Sequence, residues 1–186
     1  MLRAMSSPSL SPAPESQPPT LDVSAGVARI TLRRPMHRNR LHNEDLALLM
    51  EHFQQVERDT SVRVLVLGAQ VLPERPVFSA GYHTGEFEQG RPAIEFEDVV
   101  QALERLRPAT LCVLEGSVYG GATDLVLACD LALAAEGVEM RMPAAALGLH
   151  YYASGLQRHV SRLGVGVAQR PFLTAEALGA GTLARA

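Results

Sequence analysis

Apolar positions recur along this chain in two rhythms, period two and period three to four. Val23 and residues 26–32 alternate apolar with polar, which predicts a strand or hairpin. From Asn43, read as a helix cap, Leu46, Leu49, Met50, Phe53 and Val56 form one stripe at helical spacing, so a helix is expected to about Asp59. Residues 62–67 are an apolar, β-branched run ended by Gly68, the pattern of a buried strand. Residues 98–107 return to helical spacing, with Val99, Ala102, Leu103 and Leu106 inward. A second buried strand, residues 110–115, leads to Gly120 and Gly121 and then to an apolar helix carrying Asp124 near its start. Short strands follow at 130–134 and 138–142. Residues 154–163, 165–172 and 174–180 then read as helices.

Strands alternating with helices predict an α/β fold with right-handed crossovers. Residues 1–20 carry Pro8, Pro12, Pro14, Pro18 and Pro19 among serines and are expected to be disordered or extended. Residues 21–186 form the expected folded domain, and no second domain is indicated.

Composition narrows the function. A net charge of −3 gives no bulk attraction to nucleic acid or to an anionic membrane. With no tryptophan and 5% aromatics, stacking platforms for single strands are scarce. No apolar run approaches the roughly 20 residues that span a bilayer. The N-terminus lacks the apolar core of a signal peptide, so a cytoplasmic location is expected. Cys112 and Cys129 both fall in apolar elements and read as buried free thiols. No zinc spacing, phosphate loop, dinucleotide fingerprint or serine-nucleophile motif is present, and no metal is expected.

The chemistry concentrates at the glycine turns. Gly120 and Gly121 let the backbone turn tightly and approach a ligand. The amides of the following helical turn lack intrahelical partners and lie at the positive end of the helix dipole. Such a turn stabilises a developing negative charge, and a carboxylate one turn away, Asp124, can move protons. Upstream, residues 77–87 contain Phe78, Ser79, Ala80, Gly81, Tyr82 and His83; downstream, residues 140–149 contain Pro143, Ala144 and Gly148.

Taken in order, these three segments, with residues 26–35 and Asn39, resemble the crotonase, or enoyl-CoA hydratase/isomerase, superfamily. The resemblance covers roughly residues 21–183. It implies a spiral of β-β-α units, an acyl-CoA thioester as substrate, and no cofactor beyond the coenzyme A moiety of that substrate. It also implies a trimer or hexamer, and further C-terminal helices that this sequence largely lacks.

Carried over residue by residue, the resemblance assigns the backbone amides of Ala80 and Gly121 to an oxyanion hole, with donors worth about 3 kcal/mol each in the transition state. Gly81, Tyr82, His83 and Gly120 are expected to border the thioester. Asp124 takes the place of the first catalytic glutamate of hydratases, one methylene shorter. Ala144 takes the place of the second, so a carboxylate is missing. Tyr151 lies where methylmalonyl-CoA decarboxylases, which also lack the second glutamate, carry a tyrosine; pocket packing is the competing reading of Tyr151 and Tyr152. Arg38 and Arg40 either pair with coenzyme A phosphates or form a solvated basic loop. Three outcomes stay open: a hydratase/isomerase, a decarboxylase-like lyase, and a catalytically weak relative that binds acyl-CoA or a partner.

Overall fold

The computed structural model describes residues 16–89 and 92–183. Two sheets are stacked in a spiral with helices packed around them. The chain opens with an antiparallel hairpin, β1 (Gln17–Ser24) and β2 (Val27–Arg33), followed by α1 (Asn43–Arg58). Three turns of the spiral follow. The first contains β3 (Val64–Ala69), β4 (Val77–Ser79) and α2 (Phe96–Glu104). The second contains β5 (Ala109–Leu114), β6 (Ser117–Tyr119) and α3 (Ala122–Ala128). The third contains β7 (Leu131–Ala134), β8 (Glu139–Arg141) and α4 (Ala153–Leu163). The chain closes with α5 (Val165–Thr174), β9 (Ala177–Gly179) and α6 (Ala180–Leu183).

Each turn gives one strand to each sheet. The larger sheet has the order β1-β2-β3-β5-β7 and the smaller β4-β6-β8-β9. Pairing is parallel except at the two ends, β1 with β2 and β8 with β9. This is the β-β-α spiral expected from the resemblance.

The core forms where periodicity placed it. Leu46, Leu49, Phe53 and Val56 of α1 are buried, with Met50 packed beside them. Each fully buried side chain of this size contributes about 1.5–3 kcal/mol. Val99, Val100 and Leu103 of α2 join the same cluster. Cys112 and Cys129 are both buried and unbridged, and burial with the neighbouring Cys129 pushes the Cys112 thiol up. Among the described residues no helix is long and apolar enough to cross a membrane.

Three expectations are refined. Of the two alternatives for residues 17–20, disordered or extended, the structure shows the extended one: they belong to β1, where Gln17 pairs with Arg33 and Thr20 with Thr31. The prolines fit because β1 is the outermost strand, and the register shifts between Gln17 and Thr20 where they lie. The rest of the expected disordered segment, residues 1–15, lies outside the described residues. Second, the cap of α1 is His42 rather than Asn43: the His42 N–H donates to Asp45 Oδ2 at 2.9 Å. Third, residues 174–180 are not one helix. Ala175 takes a left-handed conformation that ends α5, and residues 177–179 pair with β8, burying Leu178.

Strand β7 ends the larger sheet, paired with β5 alone, and its four residues are exposed, Leu131 at 68% and Leu133 at 61%.

Candidate active site

The two glycine turns meet. Gly81 has φ +80°, and a Cβ placed there would lie 2.7 Å from the Gly121 nitrogen and 2.9 Å from the Tyr119 carbonyl oxygen. Only glycine permits both the conformation and the contact. The upstream turn is pinned from behind by buried Asn39. Its Nδ2 donates to the Gln70 carbonyl at 2.7 Å, its Oδ1 accepts the Arg34 N–H at 2.7 Å, and its own carbonyl accepts the Ser79 hydroxyl at 2.7 Å.

Beside the joined turns lies a cavity of about 550 Å³. Ala80, Tyr82, Gly120 and Gly121 form one wall, Phe96 and Glu97 of α2 another. Met142, Pro143, Ala144, Leu147 and Leu149 close it, together with His150, Tyr151 and Tyr152. The Phe96 ring sits 6.1 Å from Tyr82 and 6.5 Å from Tyr152, centroid to centroid. The result is a mostly apolar space with a few polar groups at its edge, the usual form of a small-molecule site.

Of the residues picked out in the sequence, Ala80, Tyr82, Gly120, Gly121 and Tyr151 line this space. Gly81 supports it from behind. His83 stays outside: its Nδ1 accepts the Gly85 N–H at 2.9 Å, and its ring lies 4.7 Å from that of His42. Arg38 is exposed and Arg40 half-buried, and neither lines the cavity. Ala144 is in the wall, so no carboxylate projects from that position.

The Ala80 amide is already engaged: its N–H donates to the Arg38 carbonyl at 2.8 Å. The Gly81 N–H likewise donates to Ser79 Oγ at 3.1 Å. Leu41 pairs in parallel with Tyr82, donating to the Gly81 carbonyl at 3.0 Å and accepting from the His83 N–H at 2.9 Å. In such a bridge the central residue turns its own amide away from the partner strand. The Tyr82 amide therefore points away from Leu41.

Asp124 lies one turn into α3, as read from the sequence, but it does not line the cavity. Its side chain is fully buried. Arg158 Nη1 donates to Oδ1 at 2.7 Å, and the Tyr152 hydroxyl donates to Oδ2. Arg158 also grips Glu104 with two bonds, 3.0 and 2.7 Å. Burial opposes the Arg158 charge, yet its bonds to Glu104 and Asp124 outweigh that and raise its pKa. Tyr151 donates to the Tyr152 hydroxyl at 3.2 Å, and their rings stack at 4.4 Å. Burial pushes both phenols up, so both remain protonated donors. The adjacent His159 donates its Nδ1–H to the Gly155 carbonyl at 2.8 Å and pairs its Nε2 with Thr123 Oγ1 at 3.2 Å, and burial lowers its pKa.

Asp124 thus meets the cavity through the tyrosine pair, with Tyr152 bonded to it directly. Sequence reasoning missed Tyr152 as the linking residue, and it missed Arg158, His159 and Glu97 entirely. The available signal was an Arg-His pair on the inward face of the predicted 154–163 helix.

A family profile described as enoyl-CoA hydratase/isomerase matches residues 22–186. The chain belongs to this family. It is 36% identical over 160 residues to the bovine (Bos taurus) enoyl-CoA hydratase domain-containing protein 2, mitochondrial, covering 82% of this chain and 53% of that protein. It is 31% identical over 128 residues to 4-chlorobenzoyl coenzyme A dehalogenase-1 of an Arthrobacter species, covering 63% and 45%. The crystal structure of an enoyl-CoA hydratase/isomerase from Marinobacter aquaeolei superposes with a TM-score of 0.78 at 25% identity, covering 90% of this chain and 67% of that one. The chain spans about half the length of these curated relatives. Among the described residues of this family member, no group of three or more potential ligands is placed to hold a metal ion.

Proposed function

We propose that this chain binds an acyl-CoA thioester with its acyl group in the 550 Å³ cavity and stabilises the thioester enolate on backbone amides. The contact between Gly81 and Gly121 on the cavity wall carries this reading. It brings two backbone segments close enough for one carbonyl oxygen to receive donors from both. The Gly121 amide opens α3 and is one donor. The other is the Tyr82 amide in place of Ala80, because Ala80 already donates to Arg38. Fixed amide donors in a water-poor site lower the barrier to enolate formation by about 3 kcal/mol each.

The names of both relatives refer to coenzyme A thioesters, although one names a hydratase domain and the other a dehalogenase. A shared thioester site serving different reactions fits this reading. Exposed Arg38 sits on the turn whose carbonyl holds Ala80, a suitable place to meet a coenzyme A phosphate.

Ala144 in the wall favours reactions that do not need a second carboxylate there. Decarboxylation through an enolate, whose first step needs no base, is then preferred over hydration, and isomerisation requires a base from another position. The test is to incubate the purified chain with enoyl-, 3-enoyl- and methylmalonyl-CoA and follow each by liquid chromatography and mass spectrometry. A retention shift at constant mass identifies isomerisation, loss of carbon dioxide identifies decarboxylation, and gain of water identifies hydration. An unchanged pool with a folded protein overturns the enzyme reading for these substrates and leaves a binding role.

A further inference from the structure

The cavity contains an acid that none of the three glycine- and proline-marked segments supplies. Phe96 and Glu97 begin α2, and Phe96 packs directly against the oxyanion turn: a Cβ on Gly121 would lie 2.9 Å from Phe96 Cε1. The next side chain, Glu97, lines the cavity. Its Oε1 is held by two donors, Ser154 Oγ at 2.5 Å and Gln101 Nε2 at 3.1 Å. Both bonds fall on the same oxygen, and Oε2 has no hydrogen-bond donor among the described residues. One oxygen is anchored and the other is available to a ligand, which is the arrangement a positioned base needs.

Glu95 also lines the cavity, but its side chain accepts the Asp98 N–H as the cap of α2. The remaining nearby carboxylates are committed elsewhere. Asp124 is sealed behind Tyr152 and paired with Arg158. Glu104 is bound to Arg158 by both oxygens and does not line the cavity. Position 144 is alanine.

We infer that Glu97 is the proton-transferring residue of this site. The inference rests on the acyl-CoA reading above. With the thioester oxygen on the backbone amides, Glu97 Oε2 takes a proton from C2 of the acyl chain. The C–H bond breaks, an O–H bond forms, and the electron pair moves onto the thioester oxygen as the enolate. Returning the proton to C2 regenerates substrate. Returning it to C4 of a 3-enoyl thioester gives the 2-enoyl isomer. Neither path needs a co-reactant.

The test uses the 186-residue chain in deuterium oxide with a 3-enoyl-CoA. Deuterium at C2 is read by mass spectrometry, and thioester binding is read separately by calorimetry. The expected result is exchange by the wild type and a loss of about 100-fold or more in Glu97→Gln, with binding changed less than about threefold. Glu97→Asp is expected to recover part of the rate. Exchange by Glu97→Gln at the wild-type rate overturns the role of Glu97 and leaves the acyl-CoA reading standing. Wild-type binding without exchange also overturns it and leaves a thioester-binding protein. Absence of binding removes both readings together. Should Glu97→Gln fail to fold, Ser154→Ala decides, because it frees the carboxylate without removing it. A rate drop of about 10-fold at unchanged binding supports the inference, and an unchanged rate overturns it.

Discussion

Arg158 and Asp124 form an ion pair of 2.7 Å with 2% and 0% of their side chains exposed, joining α4 to α3 across 34 residues of sequence. Two charges so far from water are held by mutual attraction and by the surrounding donors and acceptors. Removing one end strands the other. Arg158→Met is expected to destabilise the fold by about 3–5 kcal/mol, measured from denaturant midpoints. The double variant Asp124→Leu/Arg158→Met should be less damaged than Arg158→Met alone, since no buried charge then lacks a partner at position 124.

Gly155 stands at the back of the tyrosine pair. A Cβ there would lie 2.3 Å from Tyr151 Cε1, 2.8 Å from Tyr152 Cε2 and 2.9 Å from Asp124 Oδ2. Gly155→Ala must therefore push both rings toward the cavity. A loss of about 1–3 kcal/mol in stability is expected, together with weaker thioester binding. Thermal melting and calorimetry check the two effects separately.

Ala144 offers the converse experiment. Ala144→Glu adds a carboxylate to a wall that has none at that position. If water activation is limited by that missing group, hydration of a 2-enoyl-CoA should rise by at least about 10-fold, read as gain of water by mass spectrometry. No gain would mean that more than a carboxylate is missing from the hydration machinery.

His159 makes stability depend on acidity. Burial holds its pKa below the usual 6.5, against the opposing pull of the Gly155 carbonyl and Asp124, and with Arg158 acting in the same direction as burial. The unfolded chain therefore takes up a proton near pH 6.5 that the folded chain resists, so stability falls as pH drops below that value. Glu104 and Asp130 are also held low, by Arg158 and by Thr110, and their contributions are lost only in more acidic solution. Between about pH 7.5 and 5.5 the denaturant midpoint of the wild type should fall, and that of His159→Gln should fall less.

Much of the fold was legible because it rests on local pattern. The stripe from Leu46 to Val56 needs only helical spacing and one apolar surface to meet. The turns at Gly81 and Gly120 declare themselves through residues that tolerate positive φ. What stayed hidden depends on partners distant in sequence. Asp124 looks like a free acid until Arg158 of α4 and Tyr152, which caps that helix, arrive. No spacing rule reveals that the Ala80 amide is already bound to the Arg38 carbonyl. Residues 177–179 have no strong strand pattern and become a strand because β8 presents an edge that buries Leu178.

The two unbridged cysteines turn this family member into its own unfolding reporter. Cys112 lies in β5, between β3 and β7 in the larger sheet, and Cys129 ends α3, its thiol directed at the Leu125 carbonyl 3.5 Å away. Alkylating reagents attack thiolates, and a thiol that is both covered and held in its neutral form reacts slowly. Modification must then wait for the chain to open. Because the two thiols are neighbours where β5 meets the end of α3, their labelling reports the opening of that shared packing between sheet and helix.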